Sequence, residues 1–239
     1  MLLFLSLGDI GVYVFATQCL IALELLMNGL HNSFYPKVVN AVMELPEKHS
    51  TPSINRYYHG LTAIVMLAVC LGVLLLPWAI ETFVRKASYQ ATIPYLPFLA
   101  TIYFFRTMRL YFTVPYGILK YTKPLPVVYL IVAAAKILLM ILLMPSFGVF
   151  GVIIAALISA ALEIVLLRNS IRDMFQFRFN FFKIVGAPLI LFLLIMVSEP
   201  VAGNSHPYTI HLIYLACCGG LLWWAYRNEI QLLNPFHSR

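Results

Sequence analysis

The sequence predicts an all-α membrane protein with about seven transmembrane helices. Three observations carry this. Hydrophobic residues make up 62% of the 239-residue chain and charged residues only 10%, too little charge to cover a soluble domain of this length. The apolar stretches run on without alternating, which argues against a membrane β-barrel, whose strands alternate in segments of about ten residues. The basic residues are also lopsided about the apolar stretches, as the loops of a helical membrane protein are.

At about 20 apolar residues per crossing, the spans are 11–34, 58–80, 94–118, 125–144, 148–167, 184–198 and 208–226. On the side reached by the first span lie Lys37, Lys48 and Arg56, then Lys120 and Lys123, then Arg168, Arg172, Arg178 and Lys183, then Arg227 and Arg239. The other side holds Arg85 and Lys86. The positive-inside rule makes the first side, and the C-terminus, cytoplasmic. The net charge of +7 is accounted for by these loops, and no compact basic region points to nucleic acid.

Residues 1–10 read as the end of a preceding span, which suggests a truncated or half-length form; a basic segment of the kind that opens a signal peptide is missing from them. In the first span Thr17, Glu24, Asn28 and His31 share one helical face and Phe15, Ala22, Leu26 and Leu30 lie off it, so the polar face should look inward. Asn32, Ser33 and Pro36 are expected to end that helix, and Lys37 to Asn55 to form a polar loop. The third span carries Arg106 and Arg109 well inside its apolar run. Three residues apart, they share a face, and guanidinium groups at that depth need a bundle interior, a wet cavity or a counter-charge.

The fourth and fifth spans are joined by Met144 to Gly148, a turn short enough to force an antiparallel hairpin. Lys136 falls near the middle of the fourth, where an internal ion pair with Glu24 or Glu163 is one way to hold it. Gly151, Ala155, Ser159 and Glu163 recur every four residues along the fifth, a row of mostly small side chains that lets helices approach closely. Residues 168–183 mix Arg and Lys with Phe175, Phe177, Phe179, Phe181 and Phe182, as a segment lying at the cytoplasmic interface does. Trp223, Trp224 and Tyr226 read as an aromatic belt closing the last span. The chain therefore divides into residues 1–10, a five-helix body over 11–167, the interfacial segment 168–183, and two further spans with a short tail over 184–239.

Cys19, Cys70, Cys217 and Cys218 all fall in apolar stretches and read as small buried hydrophobes. No P-loop, nucleophile elbow or H-E-x-x-H occurs, and His206 and His211 beside Glu199 make only a weak grouping. The expectation is no enzyme, no catalytic residues, no cofactor and no metal.

The stretch LGDIGVYVFATQCLIALELLMNGLHNSFYPKVV, with Gly11, Tyr13, Ala16 and Pro36, resembles the oligosaccharide flippases of the multidrug/oligosaccharidyl-lipid/polysaccharide exporter superfamily. MPSFGVFGVIIAALISAALE, Met144 to Glu163, is similar to that family's short turn, glycine pair and alanine-rich helix. The resemblance covers nearly the whole chain but only the C-terminal half of a usual member. It implies one lobe of a two-lobe exporter in a bacterial cytoplasmic (inner) membrane, with the N-terminal lobe separate. The implied substrate is an undecaprenyl-pyrophosphate-linked oligosaccharide. Electrostatics adds the site residues: a pyrophosphate crossing hydrocarbon needs cations, and Arg106, Arg109 and Lys136 lie at mid-depth. Glu24 and Glu163 would then form ion pairs or couple to an ion. The rival readings are a drug/cation antiporter of the same superfamily, a non-transporting remnant, and a membrane-embedded glycan-modifying enzyme.

Overall fold

The computed structural model describes residues 5–43, 52–84, 86–175, 180, 182–191, 193–194 and 215–227. Among the described residues the regular structure is helical, with no strand. The elements are α1 (Leu7–Cys19), α2 (Ile21–Met43), α3 (Pro52–Phe83), α4 (Ala87–Gln90), a 3₁₀ turn (Ile93–Tyr95), α5 (Leu96–Ala100), α6 (Ile102–Ile118), α7 (Leu125–Phe147) and α8 (Val149–Ile171). A short apolar helix, α9 (Phe182–Leu191), opens with one π turn, and residues 215–227 form α10.

Among the described residues four stretches are long and apolar enough to cross a membrane: Leu7–Ala41, Tyr57–Phe83, Leu125–Phe147 and Val149–Ile171. On α7 the large apolar side chains Leu130, Ile131, Ile137, Leu138 and Leu142 point away from the bundle, a surface suited to lipid and out of place in water. The molecule is a helical membrane protein.

Ser6 caps α1. Its hydroxyl accepts from the Asp9 amide at 3.1 Å and its own amide donates to the Asp9 carboxylate at 3.2 Å, a reciprocal capping box. Residues 7–10, assigned above to a preceding span, are thus the first turn of α1. The helix then breaks at Leu20 (φ −93°, ψ 0°), where neither proline nor glycine stands. Thr17 turns its hydroxyl back onto the Val14 carbonyl at 2.7 Å, which bends helices. The Tyr103 hydroxyl, 83 residues away, donates to the Leu20 carbonyl at 3.0 Å. The expected break at Asn32, Ser33 and Pro36 does not occur, and α2 runs through Pro36 to Met43. Val38 is fully buried beyond the proline, and Tyr35 lies so close to Gly117 of α6 that a Cβ there would collide with its hydroxyl. Packing against α6 outweighs the hydrogen bond lost at the proline.

The predicted single span 94–118 is three pieces. The chain stays right-handed through Thr101 (φ −67°, ψ −19°), whose hydroxyl donates to the Phe98 carbonyl at 2.6 Å, so 93–118 is one interrupted helical run. The hairpin is tighter than the turn Met144 to Gly148 suggested. α7 continues to Phe147 with Pro145 inside it, and Gly148 alone (φ +55°) joins it to α8. A Cβ on Gly151 would sit 2.5 Å from the Leu143 carbonyl oxygen, so the backbones meet there as small residues permit. Gly151, Ala155 and Ser159 are all buried. Tyr116 ties α6 to α8 by donating to the Leu167 carbonyl at 2.6 Å.

The segment 168–183 is not purely interfacial. α8 extends to Ile171, and Phe175 is buried at 1% exposure, because it folds back under the end of α8 with its amide on the Ile171 carbonyl. Phe182 starts α9 and meets Trp224 edge-on at 5.8 Å, and the Tyr226 hydroxyl donates to the Lys183 carbonyl. Phe177, Phe179 and Phe181 lie outside the described residues, as do residues 192 and 195–198 of the span 184–198 and residues 208–214 of the span 208–226. The cysteines also differ from expectation: Cys70 and Cys218 are buried, Cys19 is half-buried and Cys217 is exposed. Adjacent residues on a helix point about 100° apart, so 217 and 218 cannot both face the core.

Candidate binding cavity

The mid-depth charges predicted from the sequence meet in one place. A cavity of about 280 Å³ lies between α1 and α2, α6, α7 and α8. Tyr13, Thr17, Leu20 and Glu24 line it from the broken first helix; Leu99, Ile102, Tyr103, Phe105, Arg106 and Arg109 from α5 and α6; Val132 and Lys136 from α7; Ala156, Ser159, Ala160 and Glu163 from α8. Glu24 is the central residue of Leu7–Ala41 and Lys136 of Leu125–Phe147, and Arg106 sits at the middle of the 93–118 run. Glu163 follows Gly148 by 15 residues where Lys136 precedes it by 12, an offset of about 4.5 Å in depth at 1.5 Å per residue. The cavity is therefore at the middle of the bundle's length.

Both carboxylates are engaged by arginines. Arg106 Nη1 lies 2.9 Å from Glu24 Oε1, bridging α6 to α2, and Arg109 Nη1 lies 3.7 Å from Glu163 Oε1, bridging α6 to α8. The first contact is close enough for a hydrogen bond, yet Arg106 Nη1 is buried without an aligned acceptor. It is therefore an ion pair whose N–H groups do not aim at the oxygen. Arg106 also sits over the Tyr103 ring at 5.1 Å, a cation–π contact. Lys136, for which an ion pair with Glu24 or Glu163 is the alternative to substrate contact, pairs with neither. The pairings go to the arginines because α6 stands between the two acid-bearing helices and presents both guanidiniums from one face. Among the described residues Lys136 makes no ion pair. The lining holds three cations and two carboxylates, a formal surplus of one positive charge.

Not all of the predicted polar face joins the cavity. Thr17 and Glu24 do. Asn28 is exposed, and His31 belongs to a separate cluster, its Nδ1 2.9 Å from the Tyr58 hydroxyl and its ring 5.5 Å from Tyr35. Thr17 and Glu24 stand on either side of the break at Leu20 and both reach the cavity, so the face divides within α2, where Asn28 and His31 lie one and two turns beyond Glu24. Tyr13 and Tyr103 are the lining tyrosines that the sequence did not place at the site. Tyr103 stands three residues before Arg106, the spacing of side chains that touch on a helix, and that was the available signal. His206, His211 and Glu199 lie outside the described residues. Among the described residues no group of His, Cys, Asp and Glu is placed to hold a metal ion.

Comparison of the chain with protein-family models, curated proteins and solved structures returned no match.

Proposed function

We propose that this protein is one lobe of a flippase that carries a lipid-linked oligosaccharide, joined through pyrophosphate to undecaprenol, across a bacterial cytoplasmic membrane. It would work with a separate N-terminal lobe and with its C-terminus in the cytoplasm. The observation that carries the reading is the positive surplus of the cavity at mid-depth. Arg106, Arg109 and Lys136 all line this space, and a headgroup bearing phosphates is the cargo such a lining suits. The sequence resemblance supports the same cargo. Transport, with no catalytic step, is the activity assigned, and membrane lipid is its setting.

A drug/cation antiporter is the second reading, favoured by the carboxylate found on each arginine. It predicts that Glu24 and Glu163 matter more than Lys136. The test is complementation: the chain is expressed with the N-terminal lobe of a resembling flippase in cells lacking their own, and surface polysaccharide is measured. Restored polysaccharide that Lys136→Ala and Arg109→Ala abolish, at unchanged protein level, supports the flippase. Absence of polysaccharide with the unaltered chain, or indifference to both changes, counts against it.

A further inference from the structure

We propose that the three cations divide the work: Lys136 is the first contact for an entering oxyanion of the phosphate class, Arg109 is the second, and Arg106 is a brace that holds the helices. This rests on the anion-binding reading of the cavity.

The division follows from how each cation is held. Arg106 has a carboxylate at 2.9 Å and an aromatic ring beneath it at 5.1 Å. That ring is itself pinned, since the Tyr103 hydroxyl donates to the Leu20 carbonyl at the α1–α2 break. Drawing Arg106 toward a ligand would undo contacts that join α2, α6 and the break. Arg109 is different. Its only ion-pair contact among the described residues is the longer one, 3.7 Å, and its side chain is 47% exposed. The Glu163 partner is only 12% exposed, but at 3.7 Å no hydrogen bond joins the two, so an anion with two oxygens can take the planar fork without breaking one.

Lys136 has nothing to displace. It is exposed to the cavity with no carboxylate on it among the described residues. It also cannot relieve itself elsewhere. Each end of α7 is 11 residues away, about 16 Å at 1.5 Å per residue, farther than a lysine side chain reaches to an interface. An ammonium fixed at that depth without a counter-charge is the lining's unfilled charge, and a ligand oxyanion fills it. The order Lys136, Arg109, Arg106 is the order of increasing cost to recruit.

The test uses the full chain in phosphatidylcholine nanodiscs, with retention of radiolabelled inorganic pyrophosphate measured alongside the melting temperature. Lys136→Gln should weaken retention tenfold or more with the melting temperature no lower than the parent's, and Lys136→Arg should stay within threefold of the parent. Arg109→Gln should weaken it about threefold or more. Glu163→Gln should tighten it, because it frees Arg109 and raises the surplus charge. Arg106→Gln should lower the melting temperature while the folded fraction still retains the probe. The assignment is overturned if Lys136→Gln retains the probe like the parent, if Glu163→Gln weakens it, or if Arg106→Gln loses retention at an unchanged melting temperature; in each case the anion cavity itself stands. No retention by the parent overturns the anion reading and the assignment together. Polyprenyl pyrophosphate built into the nanodisc then identifies the source. Competition far stronger than that of the unlabelled inorganic anion means a lipid headgroup, and equal competition means a free anion, both supporting the shared chemistry.

Discussion

At the residue scale, the Arg106–Glu24 pair is valuable mainly for what its loss leaves behind. Both side chains keep contact with the cavity, at 37% and 43% exposure, so the pair itself contributes no more than about 1 kcal/mol. A lone charge at the centre of a membrane helix costs about 2.5–3.5 kcal/mol on insertion scales, and even reduced for cavity water that exceeds the pair's worth. Arg106→Gln and Glu24→Gln should each lower the amount of protein in the membrane and its melting temperature, and the double change should recover most of both. A double variant as unstable as the worse single would show that the pair is not the reason. Tyr103→Phe removes one hydrogen bond onto a carbonyl that still accepts from Leu23 at 3.0 Å. The expected loss is about 0.5–1.5 kcal/mol, read as a small fall in melting temperature together with faster protease cutting near Leu20.

At the scale of the elements, α8 is the helix against which α6 and α7 are both set. Ala155 is fully buried and Ser159 nearly so, whereas Ile158 is 47% exposed. Ala155→Leu should overpack a filled interface at a cost of about 1–3 kcal/mol. Ile158→Leu, on the outward side, should leave the melting temperature within measurement error. Equal behaviour of the two variants would mean that the small-residue row does not pack a neighbouring helix. The positions every four residues along α8 announced this face in advance, since period and side-chain size are local properties. The break in the first helix was not announced. Thr17 alone does not stop a helix, and the group that stabilises the bent backbone, the Tyr103 hydroxyl, comes from another element.

At the scale of the whole molecule, the helices should cross the membrane in alternating sense, with the basic loops on one side. Reporter fusions after Lys123 and Asp173 should read cytoplasmic, and a fusion after Lys86 should read external. A cytoplasmic result at Lys86 would overturn the order of spans, because α3 and the 93–118 run must then lie on one side. The interrupted run 93–118 is the element whose crossing this decides. It carries Arg106 and Arg109, and its three pieces, the 3₁₀ turn, α5 and α6, are each shorter than a full span.

The sequence by itself determined the class, the long apolar helices, the α7–α8 hairpin and the identity of the charged residues at mid-depth. Each of these depends on composition, on spacing along one helix or on a single short connection, so each is written in consecutive residues. Only the tertiary structure decided that Glu24, Arg106, Arg109, Lys136 and Glu163 line one cavity, which acid pairs with which arginine, and that Lys136 is the cation left over. Those facts depend on the rotation and depth of four helices relative to one another. These in turn are set by contacts between residues far apart in the chain, such as Tyr103 on Leu20, Tyr116 on Leu167 and Tyr35 against Gly117. A charge on a helix can be located from the sequence, but its partner lies on a neighbouring helix, and packing chooses the neighbour.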